Sequence, residues 1–357
     1  MKKSVKEIVF AVPGSKVFIS KYYNNGPNSF LNISLTGKKC ELMCSHCKAR
    51  LLSDMVDINS SDFVNPVDFV LQDGSKPKEN RILEIILRYQ NNRSESVEGA
   101  AKDGNKTRFP NRVQGLGQGR GQAQGTYTTV NGILISGGFD SLGRLPLDER
   151  ILPEIKEVKK EYGQGMKVFM HLGFTDRQTA ESLYETGIDG VLVNIFSDKH
   201  SIEEIYNLKG CGPDMFYKNA RLLKEAGLRV SPHLIIGLGD GSLSGEYRSL
   251  EEIARSGADS CVFAIAKNLS KHNRFVIPEI KPLDVVKLFE YAKNIMPDIP
   301  VILGCARPHG QEFEKMEIEL IKFGISVIAF PSGRAIDYAK ENNYSFHFEE
   351  QCCAFLG

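Results

Sequence analysis

The sequence predicts an α/β chain built as a (β/α)8 TIM-like barrel behind a short amino-terminal cap, and three observations carry that expectation. Short β-prone runs recur along the chain, segments with apolar residues at helical spacing separate them, and the runs number eight. Strands that alternate with helices in this way form a parallel sheet with the helices outside it. A ring of eight gathers its reactive groups at the carboxyl ends of the strands.

Residues 1–29 mix apolar and polar side chains as far as Gly26-Pro27 and read as the cap. The first barrel strand is Phe30-Leu-Asn-Ile-Ser-Leu-Thr36, which alternates and stops at Gly37. Residues 48–55 look helical, and 78–89 place Ile82, Leu83, Ile85, Ile86 and Leu87 at helical spacing. From 91 to 128 the chain turns to Ser, Asn, Gln, Gly and Arg with hardly a large apolar residue. Such a stretch cannot bury enough apolar area to offset the entropy of ordering it, so a flexible low-complexity insertion is expected after the first βα unit. Its glycines make a poor phosphate loop, because no strand feeds them and no helix opens on them. The remaining strands follow at 132–136, 167–172, 190–195, 229–236, 260–266, 300–303 and 325–330, with helices such as 213–226 and 283–295 between them. The barrel domain therefore spans 30–335, and 336–357 is a carboxyl-terminal segment carrying Cys352-Cys353.

The chain has 357 residues, 41% hydrophobic and 25% charged, enough to bury a substantial core. A net charge of +1 argues for neither nucleic acid nor an anionic membrane surface as partner. The apolar piece 8–13 is shorter than a signal-peptide core, and no run approaches the roughly 18–20 apolar residues that cross a bilayer. A cytoplasmic location is expected. There the eight cysteines would stay reduced, which favours metal ligation or catalysis over disulfides.

The stretch Cys40-Glu-Leu-Met-Cys44-Ser-His-Cys47 sets three thiols directly after the first strand. Three clustered thiolates can hold an iron–sulfur cluster and leave one metal position open, since such clusters normally take four protein ligands. Zinc is the rival reading, as paired thiols at short spacing also suit a tetrahedral ion, although no second pair stands at finger-like spacing nearby.

Other candidates lie past the later strands. Ser136-Gly137-Gly138-Phe139 would let a ligand approach bare backbone, or simply make a tight turn. His171 and Asn194 end the third and fourth strands, where each could equally be a satisfied core group. The fifth strand carries His233-Leu-Ile-Ile-Gly237, and the seventh runs into Gly304-Cys305-Ala-Arg307. Cys352-Cys353 could fold back over the barrel mouth or belong to a bland tail.

These residues together resemble the radical S-adenosylmethionine (SAM) superfamily. The resemblance rests on Cys40-x3-Cys44-x2-Cys47 after the first strand of a (β/α) barrel and covers residues 30–90 and 130–357. It implies a [4Fe–4S] cluster on the three thiolates, with SAM chelating the fourth iron and yielding a 5′-deoxyadenosyl radical on reduction. His46 stands where the superfamily usually has an aromatic side chain near the adenine. Gly137-Gly138 matches a Gly-Gly-Glu motif that receives the SAM amino group, with Phe139 in place of the Glu. His233 to Gly237 is similar to the motif that packs on the adenine, and Asn194 and His171 complete the implied SAM-binding set.

More narrowly, Gly304-Cys305-x-Arg307-Pro with Cys352-Cys353 is similar to the biotin synthase-like subunits of two-component lipoyl synthases. That likeness implies a second Fe–S cluster on Cys305, Cys352 and Cys353 as a sulfur source, with Arg307 as a fourth ligand or charge partner. It also implies an octanoylated carrier protein (glycine cleavage H protein or E2 lipoyl domain) as substrate. Expected partners are a second radical SAM subunit and an electron donor such as ferredoxin or flavodoxin. A saturated C–H bond offers no acidic proton, so the cofactor rather than acid–base side chains would do this chemistry.

Overall fold

Runs of Val, Ile and Leu without strict alternation become strands buried on both faces, as a parallel sheet covered by helices requires. Every residue of Cys261–Ile265 is buried, for example, as are four of the five in Gly132–Ser136. The computed structural model describes residues 7–60, 80–99, 129–239, 242–267, 277 and 280–357, with the backbone alone for 91–99. In chain order the strands are β1 (Glu7–Ala11), β2 (Phe30–Ser34), β3 (Val56–Asp57), β4 (Gly132–Ser136), β5 (Lys167–Leu172), β6 (Gly190–Ile195), β7 (Val230–Ile236), β8 (Cys261–Ile265), β9 (Val301–Leu303), β10 (Val327–Ala329) and β11 (Ser345–Glu349). The helices are α1 (Arg81–Gly99), α2 (Ile151–Tyr162), α3 (Arg177–Glu185), α4 (Pro213–Glu225), α5 (Ser244–Ser256), α6 (Pro282–Ile295), α7 (Gln311–Lys322) and α8 (Gly333–Glu341). No described helix is long and apolar enough to cross a membrane.

All pairings are parallel, in the order β11-β1-β10-β9-β8-β7-β6-β5-β4-β2-β3. The eight expected strands are β2 and β4 to β10, side by side in the expected sequence. The fold is therefore the anticipated α/β TIM-like barrel, with one difference: among the described strands hydrogen bonding does not close the ring. Strand β10 pairs with β1 instead of β2, and β11 and β3 are the edges of the described sheet. The cap expectation is corrected accordingly, because residues 7–11 form a sheet strand. Ile8, Phe10 and Ala11 are buried there, a two-sided burial without the alternation that marks an exposed strand.

Two local expectations also change. Residues 48–55 form only a short 3-10 turn, Arg50–Asp54, leading into β3. Helix α1 runs through Gly99, so the first part of the expected insertion is helical; no Pro or Gly interrupts 91–98, and extending a helix costs far less than starting one. The rest of the expected insertion, 100–128, lies outside the described residues.

The sheet curls around a lumen. Inner-face side chains of seven strands, Ala11, Phe30, Phe169, Leu192, Val262, Ile302 and Val327, meet in one buried cluster. Cys353 and Ala354 belong to that cluster, with Cys352 and Phe355 packed on it. The terminal segment reaches it at the amino ends of the strands. Gln351 Nε2 donates to Asn131 O at 3.1 Å, Ser260 Oγ donates to Ala354 O, and Phe355 stacks on Phe169 at 5.1 Å under the Arg229 guanidinium. Residues 350–357 thus stopper the end opposite the expected mouth.

Candidate active site at the carboxyl ends of the strands

The cysteine loop leaves β2 through Gly37 and is held in a conformation that ordinary residues avoid. Met43, Lys48 and Ala49 all take left-handed backbone angles, at φ 39°, 48° and 59°. Backbone turns close it, with Cys47 N–H and Lys48 N–H both donating to Cys44 O at 3.1 and 2.8 Å. Cys44 and Cys47 are buried and Cys40 is half-buried. Burial pushes the Cys44 thiol well above its usual range, and the neighbouring Cys40 and Cys47 push it further. Among the described residues no three His, Cys, Asp or Glu side chains converge closely enough for a single ion.

The glycine pair after β4 is the wall of this loop. A Cβ on Gly138 would collide with Lys39 O and stand 2.5 Å from Cys40 Cα, so only glycine lets the two loops meet. Gly138 N–H donates to Thr36 Oγ1 at 2.7 Å, so that amide is already taken up within the protein. Phe139 O accepts from Glu41 N–H at 2.9 Å and lies 3.9 Å from Cys40 Sγ. A cleft of about 410 Å3 opens here, lined by Cys40, Thr36, Lys39, Gly138 and Phe139.

Inside the lumen the structure brings together His171, Asn194 and His233. Asn194 and His233 are register partners on β6 and β7, and His171 Nε2 stands 3.1 Å from Asn194 Oδ1. The two imidazoles stack at 5.5 Å, and the Phe139 ring meets His171 edge-on at 6.5 Å, joining the trio to the cysteine loop. Burial drives His171 down to about 4; burial, reinforced by the charge of His171, drives His233 down to about 3. Both rings are therefore neutral near pH 7. Each keeps one nitrogen for a partner in the lumen, because one bond per ring is given to Asn194 or, through His233 Nδ1 at 3.2 Å, to Ser231 O.

Gly237 follows β7 at φ 88°, a left-handed position where a Cβ would also strike Ile280. Its N–H donates to the buried carboxylate of Glu246 at 2.9 Å, a residue whose acidity burial weakens. His46 is largely buried and driven down to about 4 by that burial. Its Nδ1 has no partner among the described residues, and its ring lies 4.7 Å from the Tyr206 ring. Sequence reasoning missed Glu246, Tyr206 and Asn207. The apolar spacing of Ile202, Ile205 and Tyr206 hints at a helix but gives no sign of the cysteine loop as its neighbour.

The second cysteine set is not gathered in the same way. Cys305 is exposed after β9, whereas Cys353 is buried in the lumen cluster beside half-buried Cys352. A hydrogen bond between the adjacent thiols pushes Cys352 down and Cys353 up, and the charges of Cys305 and Arg307 reach Cys353. Arg307 itself is fully buried. Its guanidinium pairs with Glu317 at 2.6 Å and donates to Gly304 O and Ala329 O at 2.7 Å and Phe330 O at 2.9 Å. The expected role as cluster ligand is corrected by this geometry, since the charged end is committed to Glu317 and three carbonyls.

No protein-family model and no curated protein matches the chain. Solved structures overlap it partly. Methylornithine synthase (PylB) is 14% identical with a TM-score of 0.46, covering 85% of this chain and 72% of that one. The FeFe-hydrogenase maturase HydG from Carboxydothermus hydrogenoformans is 14% identical with a TM-score of 0.45 over 63% of this chain. HMG-CoA lyase from Brucella melitensis is 12% identical with a TM-score of 0.41 over 61%. The chain spans 45% of one HydG chain and 58% of another. Overlaps of this extent carry no argument about activity, which rests on the residues of the site.

Proposed function

We propose that the chain is a radical SAM enzyme and, within that class, a sulfur-inserting enzyme of the lipoyl synthase type. The observation that carries the class is the cysteine loop, three thiols in eight residues pressed against a glycine wall at the carboxyl end of the first barrel strand. The donor set fits a [4Fe–4S] cluster with one iron left for SAM. Burial and mutual charge oppose three thiolates side by side, and a cationic metal body removes that opposition. His46 Nδ1, buried without a partner among the described residues, is a polar atom that a bound ligand could satisfy. When bound, such a cluster with SAM supplies one-electron chemistry able to activate a saturated C–H bond.

The chain's own residues have simpler tasks. Cys40, Cys44 and Cys47 would hold the metal body, and the backbone of Gly137 and Gly138, packed against the cysteine loop, would lie beside a ligand's amino group. His171, Asn194 and His233 offer fixed neutral polar atoms to SAM or substrate, and the stoppered lumen excludes water from the far end. For sulfur supply the proposed thiols are Cys305, exposed past the carboxyl end of β9, and Cys352 and Cys353, in the stopper at the amino ends, without Arg307 as ligand. An octanoyl chain on a carrier-protein lysine is the proposed substrate, with ferredoxin or flavodoxin as electron source and a second radical SAM subunit as partner. The polar trio favours a second reading, a biotin synthase-like enzyme on a small polar substrate without a carrier.

Anaerobic reconstitution tests this. Iron and sulfide should rise to two clusters per chain; Cys305→Ala should lose one while SAM cleavage survives, and Cys44→Ala should abolish cleavage. Mass spectrometry of octanoylated carrier protein then reads added sulfur. A single cluster in the wild type, with product still formed when the later cysteines are replaced, would end the sulfur-donor role.

A further inference from the structure

A π-helical turn, Ser201–Ile205, follows β6, and such turns concentrate at functional sites. Tyr206 N–H closes it on Ser201 O at 3.1 Å, and Asn207 then turns left-handed at φ 57°. One side of the turn grips the cysteine loop. Ser45 N–H donates to Ile205 O at 2.8 Å, Asn207 Nδ2 donates to Leu42 O at 2.6 Å, and Cys44 Sγ lies 3.9 Å from Tyr206 O. The other side grips the loop after β7. Ser201 Oγ donates to Leu238 O at 2.9 Å while Asp198 Oδ1 accepts from Ser201 N–H at 2.8 Å, and Gly245 packs on Ser197. The Tyr206 ring is wedged between His46 at 4.7 Å and Phe196 at 4.0 Å.

We propose that this turn is a positioning element that fixes the cysteine loop relative to the β7 loop. Asn207 restrains the backbone of the cysteine loop. The Tyr206 ring, packed between His46 and Phe196, wedges the turn against that loop. The inference rests on the functional reading above and deepens it: a loop held at Leu42 and Ser45 keeps its three thiols in one arrangement, so a cluster bound there should leave slowly.

Wild type and Asn207→Gly are reconstituted with iron and sulfide, and iron content, melting temperature and iron loss to a chelator are read. Asn207→Gly, which allows the same backbone angle but lacks the amide, should lose iron several-fold faster with unchanged melting. Unchanged chelator loss in Asn207→Gly overturns the clamp, as does a faster loss that only follows a lowered melting temperature. A wild type that binds no cluster overturns the functional reading itself.

Discussion

At the scale of single residues, His171 and His233 make the sharpest test of the lumen. Their folded values, about 4 and about 3, lie below the unfolded value of about 6.5. Folding therefore favours the neutral rings. Their stabilisation is complete above about pH 6.5 and is lost as the pH falls towards 4 and then 3. With both rings protonated only in the unfolded chain, the slope approaches about 2.7 kcal/mol per pH unit. Urea midpoints should fall between about pH 7 and pH 5, and His171→Gln should remove about half of that fall. A midpoint level across this window would show that the rings are not buried as described.

Elements meet at Arg307, where β9, β10 and α7 share one guanidinium. Removing it leaves Glu317 charged and buried, so Arg307→Ala should cost about 3–5 kcal/mol in chemical denaturation. Arg307→Met with Glu317→Leu should recover most of the loss, an outcome foreign to a residue needed only for chemistry. This strut shows what a sequence hides. Glu317 stands among Glu312, Glu314 and Glu319 on α7, and nothing in their order separates the buried carboxylate from its exposed and half-buried neighbours. The strands were readable where Val, Ile and Leu runs met Gly or Pro, and the cysteine loop was readable from spacing. Strand β11 was not, because Phe346 and Phe348 alternate on a short half-buried edge and gain their packing from Phe10, more than three hundred residues earlier. His171 and His233 were visible as strand-end residues, but their stacking depends on register between β5, β6 and β7, which only the assembled sheet fixes.

Over the whole molecule, the open seam between β1 and β2 is bridged by side chains instead of a ladder. Glu350 Oε1 accepts from Tyr23 OH at 2.6 Å and Gly26 N–H at 2.9 Å, while Asn25 Nδ2 donates to Val12 O at 3.0 Å. Deleting residues 350–357 removes the two Glu350 bonds together with the apolar stopper. The loss should be on the order of 5 kcal/mol, with a broadened thermal transition and dye binding to the uncovered lumen. A sharp transition at the wild-type temperature would show that the stopper contributes nothing. The stopper also fixes the order of events at the ribosome. Residues 350–357 emerge after every strand whose inner face they cover. The stopper can therefore seat only on strands already made, and before it does so the inner face of the barrel lacks its floor.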